Sequence, residues 1–260
     1  MTRTGLFVGL DRVSSSAYSG WSGQLRAAVN DAVALNATFA QAGFTARTLL
    51  DETATMAAVI GELELAADVC DDRDAFVWSY SGHGSENENG EAFCLYDGEL
   101  GDKMLHNLRA RFKPGVRVVS IIDSCYSGGI PVVRATHRRI RSRLKPIGFP
   151  ALRKTRVAPT TPIQCAELIL TACRTTEESA EDEKHGYFTG ALLDTLKTGE
   201  TWRWWFNNAS ALATSRNVAQ HAVAYQLGPQ TIFPAKVFTF NLSDSPDDPE
   251  GGMPSDPGPS

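Results

Sequence analysis

An apolar strand that ends at a cysteine constrains the fold of this chain more than any other stretch. Residues 116–122 form a largely β-branched run that stops at Asp123-Ser124-Cys125, and two glycines follow shortly afterwards. Near-continuous apolar runs of this length are typical of strands buried on both faces, as in a parallel sheet. The sequence therefore predicts a buried strand that presents the thiol of Cys125 at its carboxyl end.

A second stretch has the same design. Residues 74–80 are mostly apolar and run directly into Ser81-Gly82-His83-Gly84. If the two strands are parallel neighbours, His83 and Cys125 meet at the carboxyl edge of the sheet, where open α/β sheets place their sites. A cysteine beside a histidine is the minimum for nucleophilic catalysis by a thiol.

The rest of the chain alternates between the two types of element. Strands are predicted at residues 4–10, 44–50 and 76–80, with helices at 24–43 and from Thr53 or Thr55 onward. This order is typical of a doubly wound α/β domain. Further along, we expect an exposed turn at 85–91, half of a hairpin at 92–96, an acidic loop at 177–184, helices at 100–112, 188–196 and 210–225, and strands at 167–172 and 236–242.

Composition excludes several classes of protein. A chain of 260 residues suits one large α/β domain or two small ones, and its formal charge of −5 gives no nucleic-acid footprint. No apolar stretch approaches the roughly 18 to 20 residues of a membrane span, and the first residues lack the apolar core of a signal peptide. The five cysteines repeat no spacing, which argues against a disulfide framework or a zinc ribbon. We therefore expect a cytoplasmic protein that binds neither nucleic acid nor membranes.

Two motifs carry a specific resemblance. Residues 80–84, Tyr-Ser-Gly-His-Gly, and residues 123–128, Asp-Ser-Cys-Tyr-Ser-Gly, resemble the two active-site motifs of metacaspases and their prokaryotic caspase-like relatives, in peptidase family C14. The resemblance implies an α/β, caspase-hemoglobinase-like fold: a mostly parallel six-stranded sheet with helices on both faces. Weaker likenesses follow in the family's order at residues 25–32, 43–44, 51–55, 171–174 and 186–189.

The resemblance also implies a division of the chain. We expect a large-subunit-like part at residues 1–130, a linker at 131–162, a small-subunit-like part at 163–242 and a disordered tail at 243–260. The linker is basic, because the stretch from Arg134 to Arg156 contains nine Lys or Arg and no Asp or Glu.

The catalytic roles follow from the same resemblance. Cys125 would be the nucleophile, His83 the general base and acid, and the backbone N–H groups of Gly84 and Cys125 the oxyanion hole. A cysteine at a strand end is otherwise a small buried hydrophobe, but the polar, glycine-containing surroundings of Cys125 favour the nucleophile. We expect the remaining histidines to be surface or structural residues and the remaining cysteines to be structural: His106, His137, His185, His221, Cys70, Cys94, Cys165 and Cys173.

Three further residues match the family's pocket for the side chain that precedes the cut bond: Asp31, Ser81 and Asp123. Without the resemblance, Asp31 would be a solvated helix residue and Asp123 a loop-orienting one. Two carboxylates in one pocket select a cation, and the fork of Arg meets them better than Lys does. Ala28 stands where the family often has a cysteine.

The sequence thus predicts a cysteine endopeptidase that cleaves proteins after a basic residue, Arg over Lys, through an acyl-enzyme. It would be a monomer made as a precursor and activated by a trigger, by a partner protease, or by cutting of its own linker. The alternative is a caspase-like scaffold that docks an anionic partner through the basic linker. No cofactor is certain: Asp97 and Asp102 are candidates for calcium, but no paired aspartates occupy the expected place.

Overall fold

The computed structural model describes residues 1–87, 90–124, 161–174, 177 and 179–240. Cys125, nearly all of the basic linker and the tail lie outside the described residues. In chain order the elements are β1 (Arg3–Gly9), α1 (Ala28–Gln41), β2 (Thr45–Leu50), α2 (Met56–Val69), β3 (Ala75–Ser81), β4 (Gly84–Asn87), β5 (Gly90–Leu95), β6 (Gly98–Gly101), α3 (Asp102–Arg109), β7 (Arg117–Asp123), β8 (Ala166–Thr171), α4 (Tyr187–Thr195), α5 (Trp202–Arg216) and β9 (Val223–Leu227).

The central sheet has six strands in the order β2-β1-β3-β7-β8-β9. All neighbouring strands are parallel except β8 and β9, which are antiparallel. Successive side chains of a strand point to opposite faces, so β1 buries Phe7 in one core and Leu6 and Val8 in the other. Helices α1, α4 and α5 cover the face of Phe7, and α2 and α3 cover the opposite face. The predicted mostly parallel sheet with helices on both faces is confirmed.

Helix α1 ends at the predicted glycine. Gly43 has a φ of 85°, and its N–H donates to the carbonyl of Ala40 while that of Phe44 donates to Phe39. These two bonds, with the edge-to-face contact of Phe39 and Phe44 at 5.2 Å, form a Schellman motif. The helix begins at Ala28 rather than at the predicted Gln24.

The predicted exposed turn at residues 85–91 is wrong over its described residues, 85–87 and 90–91, which belong to strands. Strands β4, β5 and β6 form a small antiparallel sheet, and Ser85 and Glu91 are buried in it. Polar side chains tolerate this burial when they bond to one another, as Ser85 does by donating to Glu99 at 2.8 Å. Residues 92–96 do contribute half of a hairpin, as predicted.

The end of the small-subunit-like part also differs from prediction. The helix expected at 210–225 begins earlier, at Trp202, where Thr201 caps it by accepting from the N–H of Trp204 at 3.1 Å. It ends at Arg216, a connection follows at 217–222, and the last three residues of the expected helix belong to β9. The strand expected at 236–242 is wrong over its described residues, 236–240, which make only an isolated bridge to Thr201. The early start has a clear cause, because Trp202 and Trp205 are fully buried and supply the apolar face.

None of the helices in the described part of the chain combines the length and apolarity that crossing a membrane requires.

Candidate active site

The ends of the two motif-bearing strands lie side by side. In the parallel pairing of β3 with β7, Ser81 is opposite Asp123, and the N–H of Gly82 donates to the Asp123 carbonyl at 3.3 Å. This register brings His83 and the chain leading to Cys125 to the same carboxyl edge of the sheet. Cys125 itself lies outside the described residues. The pairing of β3 with β7 therefore indicates that His83 and Cys125 belong to the same edge.

The His83 ring is mostly buried beside Trp21, with the ring centroids 4.7 Å apart. It hydrogen-bonds the backbone of Gly23, and burial lowers the pKa of His83. Its Nε2 atom is buried and has no hydrogen-bond partner among the described residues. The ring is therefore neutral at neutral pH and keeps one nitrogen available for proton transfer.

The backbone of His83 is held by its own motif. The hydroxyl of Tyr80 donates to the carbonyl of His83 at 2.6 Å and to that of Cys94 at 2.9 Å. Gly82, which lies between Tyr80 and His83 in the chain, has a φ of 156°. A β-carbon on it would lie 2.8 Å from the Tyr80 oxygen. The glycine before His83 is thus required by both conformation and space. Gly84 follows as the first residue of β4 and pairs with Phe93.

A cavity of about 120 Å³ opens beside His83. Its lining includes the three residues predicted for the substrate pocket, Asp31, Ser81 and Asp123, together with Glu181. Asp31 is 0% exposed and Asp123 is 5% exposed. The structure therefore brings the predicted residues of α1, β3 and β7 together around one small, acidic space.

Asp31 is held by donors on both of its oxygens. The Ser81 hydroxyl donates to Oδ2 at 2.7 Å, and Nδ1 of His185 lies 2.9 Å from Oδ1. The N–H of Gly186 reaches both oxygens, at 3.3 Å and 3.2 Å. Burial nevertheless raises the pKa of Asp31 to about 7, and the charge of Asp123 adds to that rise.

Asp123 has its own set of donors. The N–H of Thr189 donates to Oδ2 at 2.8 Å, and the hydroxyl of Ser179 donates to Oδ1. Burial raises the pKa of this carboxyl as well, because desolvation disfavours its charged form.

Sequence reasoning missed three residues around the cavity: Glu181, His185 and Gly186. The sequence predicts a surface or structural role for His185, yet its side chain is only 14% exposed and bonds to Asp31. Glu181 accepts from the N–H groups of Arg26 at 3.0 Å and Ala27 at 3.2 Å, where α1 begins. Two features of the sequence point to this part of the chain: the acidic loop at 177–184 and the family-like segment that begins at Gly186.

The four described cysteines are reduced and buried, in agreement with a structural role: Cys70, Cys94, Cys165 and Cys173. Two of them contact the site: Sγ of Cys173 lies 3.3 Å from the carbonyl of Ser124, and the N–H of Cys94 donates to the carbonyl of His83 at 2.9 Å.

The calcium candidates each lie at the start of a helix. Asp97 accepts from the N–H of Met56 at 2.7 Å, at the beginning of α2, and Asp102 is the first residue of α3. Within the described ranges, no group of three or more His, Cys, Asp or Glu side chains is placed to hold a metal ion. These residues do not fit a calcium site in the described part of the chain.

Residues 13–227 match the caspase domain, peptidase family C14. The chain belongs to the caspase domain family. The crystal structure of protein GSU0716 from Geobacter sulfurreducens superposes with a TM-score of 0.74 and 26% identity, and the match covers 94% of this chain and 100% of that one. The expected caspase-like fold is thereby confirmed.

Metacaspases are among the caspase-domain relatives. Metacaspase-1A of Aspergillus fumigatus is 27% identical over 161 residues, which is 52% of this chain and 38% of that protein. Metacaspase-1A of Neosartorya fischeri has the same identity over the same length, covering 36% of that protein. The chain thus matches well under half of the length of these relatives.

Proposed function

We propose that this chain is a caspase-like cysteine endopeptidase that cleaves proteins after Arg and, less well, after Lys. One observation carries the proposal: the cavity beside His83 is lined by two buried carboxylates, Asp31 and Asp123. The strand that forms one wall of that cavity leads directly to Cys125. A nucleophile, a base and an anionic pocket at one sheet edge are the parts that such a reaction needs.

In the proposed reaction, His83 takes the proton of the Cys125 thiol, and the thiolate attacks the scissile carbonyl carbon. The resulting oxyanion is held by the backbone N–H groups of Gly84 and Cys125. The carbon–nitrogen bond then breaks as His83 returns the proton to the leaving amine. Water, deprotonated by His83, hydrolyses the thioester and regenerates the thiol.

The charge of the cavity supports a basic substrate side chain. Asp31 and Asp123 come from different elements, and within the described part of the chain no Arg or Lys side chain donates to either of them. A guanidinium entering between them would supply positive charge and offset the cost of burying two anions. Arg is favoured over Lys because its planar fork can donate to two carboxylates at once.

Activation of a precursor fits the basic composition of residues 134–156, which lie outside the described residues. A pocket that selects Arg could accept this segment as a substrate, so we propose that the protease, or a partner protease, cuts it there. Mass spectrometry tests self-processing: the wild type should be cut between 134 and 156, and Cys125→Ala should stay intact. Wild-type protein that also stays intact under active conditions would exclude self-processing.

The decisive experiment compares three fluorogenic peptides that differ only in ending with Arg, Lys or Asp. Wild type should cleave the Arg peptide best and the Asp peptide not at all, while Cys125→Ala and His83→Ala should be inactive. His106→Ala is the matched control, because this partly exposed histidine contacts the Thr161 carbonyl, away from the cavity. It should cleave like wild type.

Cleavage of the Asp peptide would show that Asp31 and Asp123 do not form the specificity pocket. Inactivity on every peptide, before and after the linker is nicked with trypsin and with or without calcium, would favour the scaffold alternative. A thiol-reactive peptide probe then decides: an enzyme labels at Cys125 in a His83-dependent way, whereas a scaffold shows no preference among its cysteines.

A further inference from the structure

The side chain of His185 contacts the cavity indirectly. Its Nδ1 lies 2.9 Å from Oδ1 of Asp31, on the side of the carboxylate away from Ser81, which donates to Oδ2. His185 belongs to the loop before α4, so the contact joins the two halves of the domain across 154 positions of sequence. The loop thereby fixes the orientation of a carboxylate that projects from α1.

The surroundings of Asp31 disfavour its ionised form, so that form depends on hydrogen-bond donors. The carboxyl is fully buried, and Asp123 is close enough for its charge to raise the pKa of Asp31 further. The hydrogen bond from His185 is the largest influence in the opposite direction, ahead of those from Ser81 and Gly186. A protonated Asp31 could not compensate the charge of a basic ligand.

We infer that His185 is a positioning residue of the cation pocket, which keeps Asp31 aligned and ionised so that a basic side chain binds at neutral pH. This inference rests on the proposed function, since it assigns a role within the same pocket. It places one determinant of substrate recognition in the small-subunit-like part, although Asp31, Ser81 and Asp123 all belong to the large-subunit-like part.

Other charged groups surround the His185 ring. They are Asp31 on α1, Asp123 on β7 and Asp182 in the same loop, which accepts from the His185 backbone N–H at 2.8 Å. Arg216 on α5 is also near, because a β-carbon on Gly190 would lie 3.0 Å from Arg216 and 3.2 Å from His185. A neutral ring with its proton on Nδ1 would still donate to Asp31, so the positioning role needs only that donor.

The test compares His185→Ala with His185→Asn, whose amide N–H can take the place of Nδ1. At pH 7, His185→Ala should raise KM for the Arg peptide about fivefold, because the ionised fraction of a carboxyl that titrates at about 7 falls about fivefold when its pKa rises by one. KM should fall again at higher pH as Asp31 ionises, and kcat at saturating substrate should stay within about twofold of wild type. His185→Asn should restore most of the wild-type KM and its pH dependence.

His221→Ala is the matched control. His221 makes the same kind of contact, with Nδ1 2.8 Å from Oε1 of Glu177, but neither residue lines the cavity. This variant should leave KM and its pH dependence unchanged. If His185→Ala behaves like His221→Ala, or if His185→Asn is as defective as His185→Ala, the inference is wrong.

A direct readout separates this inference from the proposed function. Carbon-13 NMR of the aspartate carboxyl groups in Cys125→Ala protein, with the Asp31 resonance assigned by Asp31→Asn, should show Asp31 titrating at about 7. In the double variant with His185→Ala the midpoint should move to higher pH. A shifted midpoint, together with wild-type protein that cleaves no Arg peptide, would reject the protease proposal alone, and an unmoved midpoint would reject the role of His185.

Discussion

Gly186 packs so closely against Asp123 that a β-carbon on the glycine would lie 2.4 Å from Oδ2 of the carboxylate. The N–H of the same glycine donates to both oxygens of Asp31. One residue thus separates the two buried carboxylates while bonding to one of them. The contact requires glycine for space alone, because its φ of −55° suits any residue.

We therefore predict that Gly186→Ala disrupts the pocket. The added methyl must displace Asp123 or the loop, which should lower the free energy of unfolding by about 1 to 3 kcal/mol. It should also raise KM for Arg peptides more than it lowers kcat. Urea unfolding and steady-state kinetics measure the two effects.

Gly61→Ala provides the control for that substitution. Gly61 lies in α2, and a β-carbon added there would meet nothing within 4 Å, so alanine should stabilise the helix by about 0.5 to 1 kcal/mol. Equal effects of the two substitutions would contradict the steric argument.

The pH dependence of catalysis should separate into two parts. Burial lowers the pKa of His83, so its neutral, basic form persists below pH 6.5, the ordinary value for histidine. Burial raises the pKa of Asp31 to about 7, so Asp31 loses its negative charge as pH falls through that value. We predict that kcat declines with a midpoint below 6.5, whereas KM for Arg peptides already rises near pH 7.

Initial rates over a full range of substrate concentrations, from about pH 5 to 9, test this separation. In Asp31→Asn, KM should be high and nearly independent of pH around 7, while the acid limb of kcat should remain. A single midpoint shared by kcat and KM in the wild type would mean that one group controls both steps.

Glu181 links the loop of the small-subunit-like part to the start of α1. The residue before the helix, Ala27, has no capping side chain, and Asp11 accepts from the first-turn N–H of Val29 at 3.1 Å. The Glu181 carboxylate accepts from the N–H groups of Arg26 and Ala27, which lead into the helix. A carboxylate at a helix N-terminus satisfies its N–H groups and complements the helix dipole. We predict that Glu181→Ala lowers the free energy of unfolding by about 1 kcal/mol and raises KM, because α1 carries Asp31.

Glu183→Ala is the comparison for Glu181, since Glu183 is an exposed acid of the same loop. It should change neither urea unfolding nor KM. Loss of stability in both variants would indicate a general effect of the loop's charge rather than a cap on α1.

Local sequence patterns are sufficient to predict the site residues that lie at the carboxyl ends of strands. The runs before Ser81 and Asp123 are mostly apolar, so their burial follows from the sequence. Their parallel pairing is only a hypothesis at the level of the sequence, and the structure shows it. The contacts of Asp31 with His185 and Gly186 do not follow from the sequence, because no local pattern reports a bond between distant segments. Local patterns also explain the wrong prediction of a helix at 210–225. The half-buried strand β9 has a pattern that resembles a continuation of the helix before it.

The side chain of Tyr80 supports the turn behind His83. The hydroxyl of Tyr80 donates to the carbonyls of His83 and Cys94, and both bonds lie beneath the turn that presents the imidazole. Tyr80→Phe keeps the ring but leaves two buried carbonyls with fewer donors, so it should lower the free energy of unfolding by about 1 to 3 kcal/mol. Because the substrate pocket does not contact this hydroxyl, kcat should fall while KM stays near the wild-type value.

Tyr18→Phe is a suitable control for Tyr80. The hydroxyl of Tyr18 also donates to two backbone carbonyls, those of Leu95 and Gly98, both at 2.7 Å, but these lie in the small sheet rather than behind His83. Removing it should destabilise the protein to a similar extent and leave kcat unchanged. If both variants lose stability and neither loses kcat, Tyr80 supports the fold without positioning His83.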